Sequence, residues 1–232
     1  MLTLAADYVQ CQRASDQSLL MYFGHQITRE AHEYVRKLLR LLETQPIAGV
    51  RNFHPAYCSL LVRFDPLKLQ HKELEAIMRE YLKRLDRVSL PKPRQIEIPV
   101  CYGGEYGPDL NDVSALHGIT PAETIELHSS ATYLVYFLGF VPGFAYLGEL
   151  SEALVTPRLP RPRRSVPAGS VGIAGSQTGV YPFTTPGGWR LLGRTPLSMF
   201  RSDRNAFSLL TIGDRVRFTP ISRQRFTALE SA

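Results

Sequence analysis

The sequence predicts an α+β N-terminal domain over residues 1–90, related to ferredoxin-like topologies, followed by a mainly-β barrel domain over residues 91–232. Three observations carry this reading. At 232 residues the chain is long enough for two cores, and 44% hydrophobic with 21% charged residues lies far from the signature of disorder. Apolar residues recur at helical spacing in the first half and give way after Gly139 to short apolar runs broken by glycine and proline. Between the halves lies "SLPKPRQ" (89–95), polar and proline-bearing in the manner of an interdomain linker.

The N-terminal elements follow in order. "SLLMYF" (18–23) is a short apolar, β-prone run closed by Gly24, which suits a buried strand. Thr28 can then cap a helix in which Ala31, Val35, Leu38, Leu39 and Leu42 repeat at helical spacing until Pro46 stops it. Two extended pieces, 49–54 and 57–64, flank Pro55 as a hairpin or a broken strand. A second helix is expected from about Leu69 to Arg87, with Leu74, Ile77, Met78, Tyr81, Leu82 and Leu85 on its apolar face. Strand, helix, strand, strand, helix, with room for a further strand, is the order behind the α+β assignment.

In the second half, "IEIPVCYGG" (96–104) alternates into a strand, and "PDLNDVSALHGITPAETIELHSS" (108–130) reads as two short helices. Asp109 or Asn111 can cap the first. Thr120, Pro121 and Glu123 give the second a cap, a proline at its first position and an acid at its third. His128 ends that helix, where the macrodipole favours its charged form. "TYLVYFLGF" (132–140) is a strand, and the glycine- and proline-punctuated runs after it argue for a barrel that closes on itself and leaves no edge.

Composition also excludes function classes. No apolar run approaches the roughly 20 residues a membrane helix needs, and residues 1–16 lack a basic stretch followed by an apolar core, so a cytoplasmic protein is the default expectation. Cys11, Cys58 and Cys101 lack metal or disulfide spacing and read as reduced thiols, the alternative being a nucleophilic Cys101. His25, His32, His54 and His71 show no metal-ligand spacing. The net charge is +6, and one basic cluster stands out, Arg158, Arg161, Arg163 and Arg164 in "TPRLPRPRRSVP", where interleaved prolines forbid a recognition helix. Without any nucleic-acid-binding signature, the run is a solvated loop or a set of guanidinium forks for a phosphate or carboxylate.

The stretch "GSQTGVYPFTTPGGWRLLGRTP" (175–196) is too rich in glycine and proline for a helix and too aromatic for a linker. Gln177, Thr178 and Arg194 stand among its turns beside Tyr181 and Trp189. An amide, a hydroxyl, a guanidinium and two amphipathic aromatics suit a small carboxylate, amide or phosphorylated ligand. No acid pair, Walker loop or metal cluster accompanies them.

"HSSATYLVYFLGFVPGFAYLG", "TPRLPRPRRSVPAGSVGIAGSQTGVYPFTTPGGWRLLGRTPLSMF" and "GDRVRF" closely resemble the family that includes the B subunit of bacterial ATP-dependent 5-oxoprolinase, the KipI kinase inhibitors and the allophanate-hydrolase subunit 1 domains. The resemblance implies a cyclophilin-like barrel, a partner C subunit of allophanate-hydrolase subunit 2 type and, for the oxoprolinase, an A subunit. It implies a complex that opens 5-oxo-L-proline to L-glutamate with ATP, taken with Mg2+, in which the B component is inactive alone. On that basis His128, Gln177, Thr178 and Arg194 are expected to face a site shared with the C subunit. His128 would serve as hydrogen-bond donor or acid and Arg194 would neutralise developing phosphate charge, while Tyr181 and Trp189 wall the pocket. The rival expectations are a KipI-like inhibitor that binds a sensor histidine kinase and half of a biotin-dependent carboxyl transferase. No metal site is expected, nor any nucleic-acid or membrane partner.

Overall fold

The computed structural model describes residues 9–203 and 207–230, and its contacts divide the chain between Lys92 and Pro93. In the first unit the strands β1 (Gln10–Ser15), β2 (Ser18–Tyr22), β3 (Val50–Pro55) and β4 (Ser59–Phe64) form one antiparallel sheet in the order β1-β2-β4-β3. Helix α1 (Arg29–Thr44) starts at Thr28, whose hydroxyl accepts from the Ala31 amide at 3.1 Å. Helix α2 spans His71–Leu82, shorter than the stripe suggests; Leu85 belongs to a separate 3₁₀ turn, Leu85–Arg87. Val35, Leu38 and Leu42 of α1 share one core with Leu60, Val62 and Phe64 of β4 and with Leu74 and Met78 of α2. The strand expected after α2 is not there. The edge beside β2 is filled instead from the N-terminal side, by β1.

The second unit is built on a closed barrel of seven strands. They are β5 (Gln95–Tyr102), β6 (Tyr133–Leu138), β7 (Ala145–Gly148), β9 (Ser170–Ala174), β10 (Gln177–Val180), β12 (Arg190–Arg194) and β13 (Arg215–Pro220), ordered β10-β7-β6-β13-β5-β12-β9. Neighbours run antiparallel except β5 and β13, which pair in parallel from Gln95↔Arg215 to Val100↔Pro220. Ile98, Val100, Tyr133, Val135, Leu147, Val171, Ile173, Leu192, Val216 and Phe218 are buried together in its main core. Helices α3 (Leu110–His117), α4 (Pro121–Ser129) and α5 (Arg223–Glu230) accompany the barrel, and β8 (Arg163–Val166) pairs with β11 (Thr185–Gly187) as a separate ribbon. Helix α4 opens on the expected box: Thr120 and Glu123 satisfy each other's backbone amides, with Pro121 at the first position.

A second apolar cluster, distinct from the main core, gathers Phe144, Val166, Ala174, Tyr181, Trp189 and Leu191. It answers the question that the 175–196 stretch raises. A Cβ on Gly179 would lie 2.9 Å from the Ala145 carbonyl oxygen, 3.1 Å from the Phe144 ring and 3.2 Å from the Trp189 ring, so the bare glycine lets the neighbouring strand and both aromatics lie close to β10. A Cβ on Gly187 would overlap the Tyr181 ring. Glycine here is a packing requirement set by the Ala145 backbone and three large rings.

Candidate functional site

Those rings open onto a cavity of about 210 Å³. Phe144, Tyr181 and Trp189, at 2%, 2% and 5% exposure, are its buried walls, and Tyr146, Phe140 and Arg158 also line it. The rings meet edge to face: Phe144 with Tyr181 and with Trp189 at 5.3 Å, and Tyr146 with Trp189 at 6.0 Å. Such pairs hold one another at fixed angles, which gives the wall a defined shape. Phe140 is 59% exposed and has φ of 70°, a left-handed conformation that a bulky residue rarely adopts. Burial pushes the Tyr181 phenol up, against smaller opposing effects of a Trp189 backbone hydrogen bond, Arg158 and Arg163. Burial likewise raises Tyr146, and Arg158 opposes it. Arg158 therefore stands near both phenols.

His128 and Thr178 come together elsewhere, inside the barrel. The Thr178 hydroxyl donates to the Gly172 carbonyl at 3.1 Å, so it accepts from His128 Nε2 at 2.9 Å. That leaves Nδ1 as the acceptor of the Tyr102 hydroxyl at 2.7 Å. The imidazole stacks on Phe218 at a centroid distance of 4.6 Å and has no exposed surface. Burial pushes its pKa down to about 3, which keeps it neutral, and the same burial drives Tyr102 well above the ordinary phenol range. The expected role of His128 as an acid toward substrate does not suit this position. Both ring nitrogens are engaged, no ligand touches a fully buried ring, and the neutral form predominates at any ordinary pH. What the geometry supports is a polar tie joining α4, β5, β9 and β10.

Arg194 and Gln177 lie apart from both groups. Arg194 donates from Nε to the Ala168 carbonyl at 2.7 Å, and its guanidinium lies 5.9 Å from the centre of the Phe226 ring of α5. Gln177 is half-buried at the start of β10, in register with Ala174. The six expected residues thus divide into a pocket pair, an interior pair and two separate side chains.

The arginine run divides in the same way. Arg163 pairs with the buried Asp109 at 2.7 Å, Arg158 lines the cavity, and Arg161 and Arg164 are exposed. Asp109 occupies the first cap position of α3, as expected, but its carboxylate makes no cap bond: Oδ1 takes Arg163 and Oδ2 accepts from the Leu191 amide at 2.7 Å. Tyr102, the third member of the interior tie, carries no sequence signal; it stands at the end of β5, and only the folded barrel brings it to His128. Cys101 is buried and its thiol is raised, chiefly by desolvation, which is the opposite of an activated nucleophile.

Residues 9–210 match the family model for the carboxyltransferase domain, subdomain C and D. A Bacillus subtilis protein, named as the B subunit of 5-oxoprolinase, is 41% identical over 230 residues, 94% of this chain and 95% of that one. Its Escherichia coli O157:H7 namesake is 59% identical over 130 residues, 56% of this chain and 60% of that one. Among solved structures, the crystal structure of TTHA0988 superposes with a TM-score of 0.78 at 36% identity, covering 89% of this chain and 40% of that longer chain. By a family match over most of its length and by relatives of nearly equal size, the chain belongs to the carboxyltransferase subdomain C and D family, in the company of the 5-oxoprolinase B subunits.

Proposed function

We propose that this chain is the B subunit of an ATP-dependent 5-oxoprolinase, opening 5-oxo-L-proline to L-glutamate together with C and A subunits. The observation that carries the reading is 41% identity with the Bacillus subtilis protein of that name over 95% of its length. Chemistry supports the division of labour. A lactam is a poor electrophile, and ATP bound by the complex would supply the activation of its oxygen before water attacks. We assign the nucleotide to the assembled complex, and this chain's part is to bind and orient through Tyr181 and Trp189, which wall the aromatic cavity. His128 and Thr178 act from behind as positioning residues for β10.

The reading is tested by glutamate production from 5-oxoproline and ATP, with this chain co-purified with C and A subunits and each omitted in turn. Activity is expected only from the full mixture. An inert full mixture would discard the reading and favour carboxyl transfer, which the family description names. In the same assay Arg194→Ala is expected to fold normally and to lower activity at least tenfold. Its guanidinium is partly exposed, with one hydrogen bond to Ala168 and a long 4.0 Å approach to Glu230, and so can meet a partner. A large loss of Tm would instead assign Arg194 to the Ala168 and Phe226 contacts.

A further inference from the structure

An aromatic cavity by itself does not say what it holds, because rings of this kind take cations as readily as apolar groups. Here the charge decides. Arg158 is the single charged side chain among the described lining residues, and no carboxylate lines the cavity beside it. Unlike Arg163, whose charge is matched by Asp109, Arg158 has no acid partner among the described residues. A cation would enter against an uncompensated guanidinium, whereas a carboxylate would meet two parallel N–H donors in the geometry that suits it. The volume of about 210 Å³ is below the roughly 300–1,000 Å³ of sites for drug-sized ligands, so the occupant is small. The walls of Phe144, Tyr146 and Trp189 meet edge to face and offer flat surfaces to a ring.

We propose that this cavity is a binding site for a small ring compound bearing one carboxylate, the ring against Phe144, Tyr146 and Trp189 and the carboxylate on Arg158. The inference rests on the oxoprolinase reading only for its first probe, 5-oxo-L-proline. The site should equally take cyclopentanecarboxylate, which keeps ring and charge but has no lactam, and should bind 2-pyrrolidone, which has no carboxylate, at least tenfold more weakly. Choline, the natural probe of an uncharged aromatic cage, should not bind.

Trp189 is the chain's one tryptophan and stands in the cavity wall, so its fluorescence reports occupancy without any other subunit. Titration of the full chain with the four probes is expected to give saturable changes with both ring carboxylates. In Arg158→Met these should weaken at least tenfold at an unchanged Tm, since Arg158 is exposed. A response to 2-pyrrolidone or choline as strong as to the carboxylates would overturn the proposal, as would affinity unaltered in Arg158→Met or no response to either carboxylate. Binding of 5-oxoproline with an inert complex would reject the oxoprolinase reading and leave the site standing; an active complex whose B component ignores both carboxylates would do the reverse.

Discussion

His128→Ala is expected to cost about 3–5 kcal/mol, the range for removing a large buried ring, and to lower Tm by roughly 10 °C or more. The loss has two sources. A cavity opens against Phe218 and Tyr133, and the Tyr102 and Thr178 hydroxyls lose their partner in a place water does not reach. Thr178→Val, which keeps the shape and removes one link, should cost about 1–3 kcal/mol. A pH test separates this tie from ordinary packing. The ring's folded pKa of about 3 lies below its ordinary 6.5, so its contribution is complete above pH 6.5. As pH falls from 6.5 toward 3 the unfolded chain takes up a proton that the folded chain refuses, and stability declines by about 1.4 kcal/mol per pH unit. Denaturant unfolding at pH 7.5 and pH 5 should therefore show the native chain losing about 2 kcal/mol more than His128→Ala loses. Equal losses in the two proteins would mean that the imidazole takes up its proton in the folded chain at the same pH as in the unfolded one, and the tie as described would be wrong.

The sequence led to the opposite charge state for His128, and the magnitudes say why. A helix C-terminus favours the imidazolium by about 0.3–2 kcal/mol. Desolvation of a ring without exposed surface lowers the pKa from 6.5 to about 3, which at about 1.36 kcal/mol per unit is worth more than twice the larger of those figures. Position in a helix is visible in the residue order, but the closing of β5, β10 and β13 around that helix end is not. The same distinction runs through the site. Tyr181 and Trp189 line the cavity and stand out in the sequence as large aromatics among small residues, and Gly179 and Gly187 make room for them. Gln177 and Arg194 have the right chemistry and the right stretch of chain, yet strand geometry sends them elsewhere.

For the fold, the legible parts were those governed by local periodicity. Helix α1 and its Thr28 cap, the Thr120 box and the buried strand β2 follow from spacing alone. Strand β1 left no trace because it is an edge strand: five of its six residues are exposed, so no apolar alternation marks it. The parallel pairing of β5 with β13 joins segments more than a hundred residues apart, a separation no local pattern encodes.

Asp109→Ala is expected to be the second large loss, about 3 kcal/mol, near the lower end for breaking a buried ion pair because Arg163 keeps 28% of its side chain in contact with solvent. One carboxylate here does two jobs that a helix cap would not. It neutralises Arg163 at the start of β8 and satisfies the Leu191 amide in β12. Val166 of β8 and Leu191 of β12 belong to the same cluster as Trp189, so Asp109 fastens the two strands that back the cavity. Removing it strands a guanidinium whose Nη1 is already buried without a partner and leaves a buried amide unpaired. Asp109→Asn keeps an acceptor for Leu191 and should lose about half as much. The double-mutant cycle with Arg163→Met decides the mechanism: coupling of about 1–3 kcal/mol is expected, with a change in Trp189 emission in Asp109→Ala as the cluster loosens. Effects that simply add, with unaltered emission, would show that the pair with Arg163 contributes nothing and that the ring carboxylate's pocket is held open by its aromatic contacts without help from the ion pair behind it.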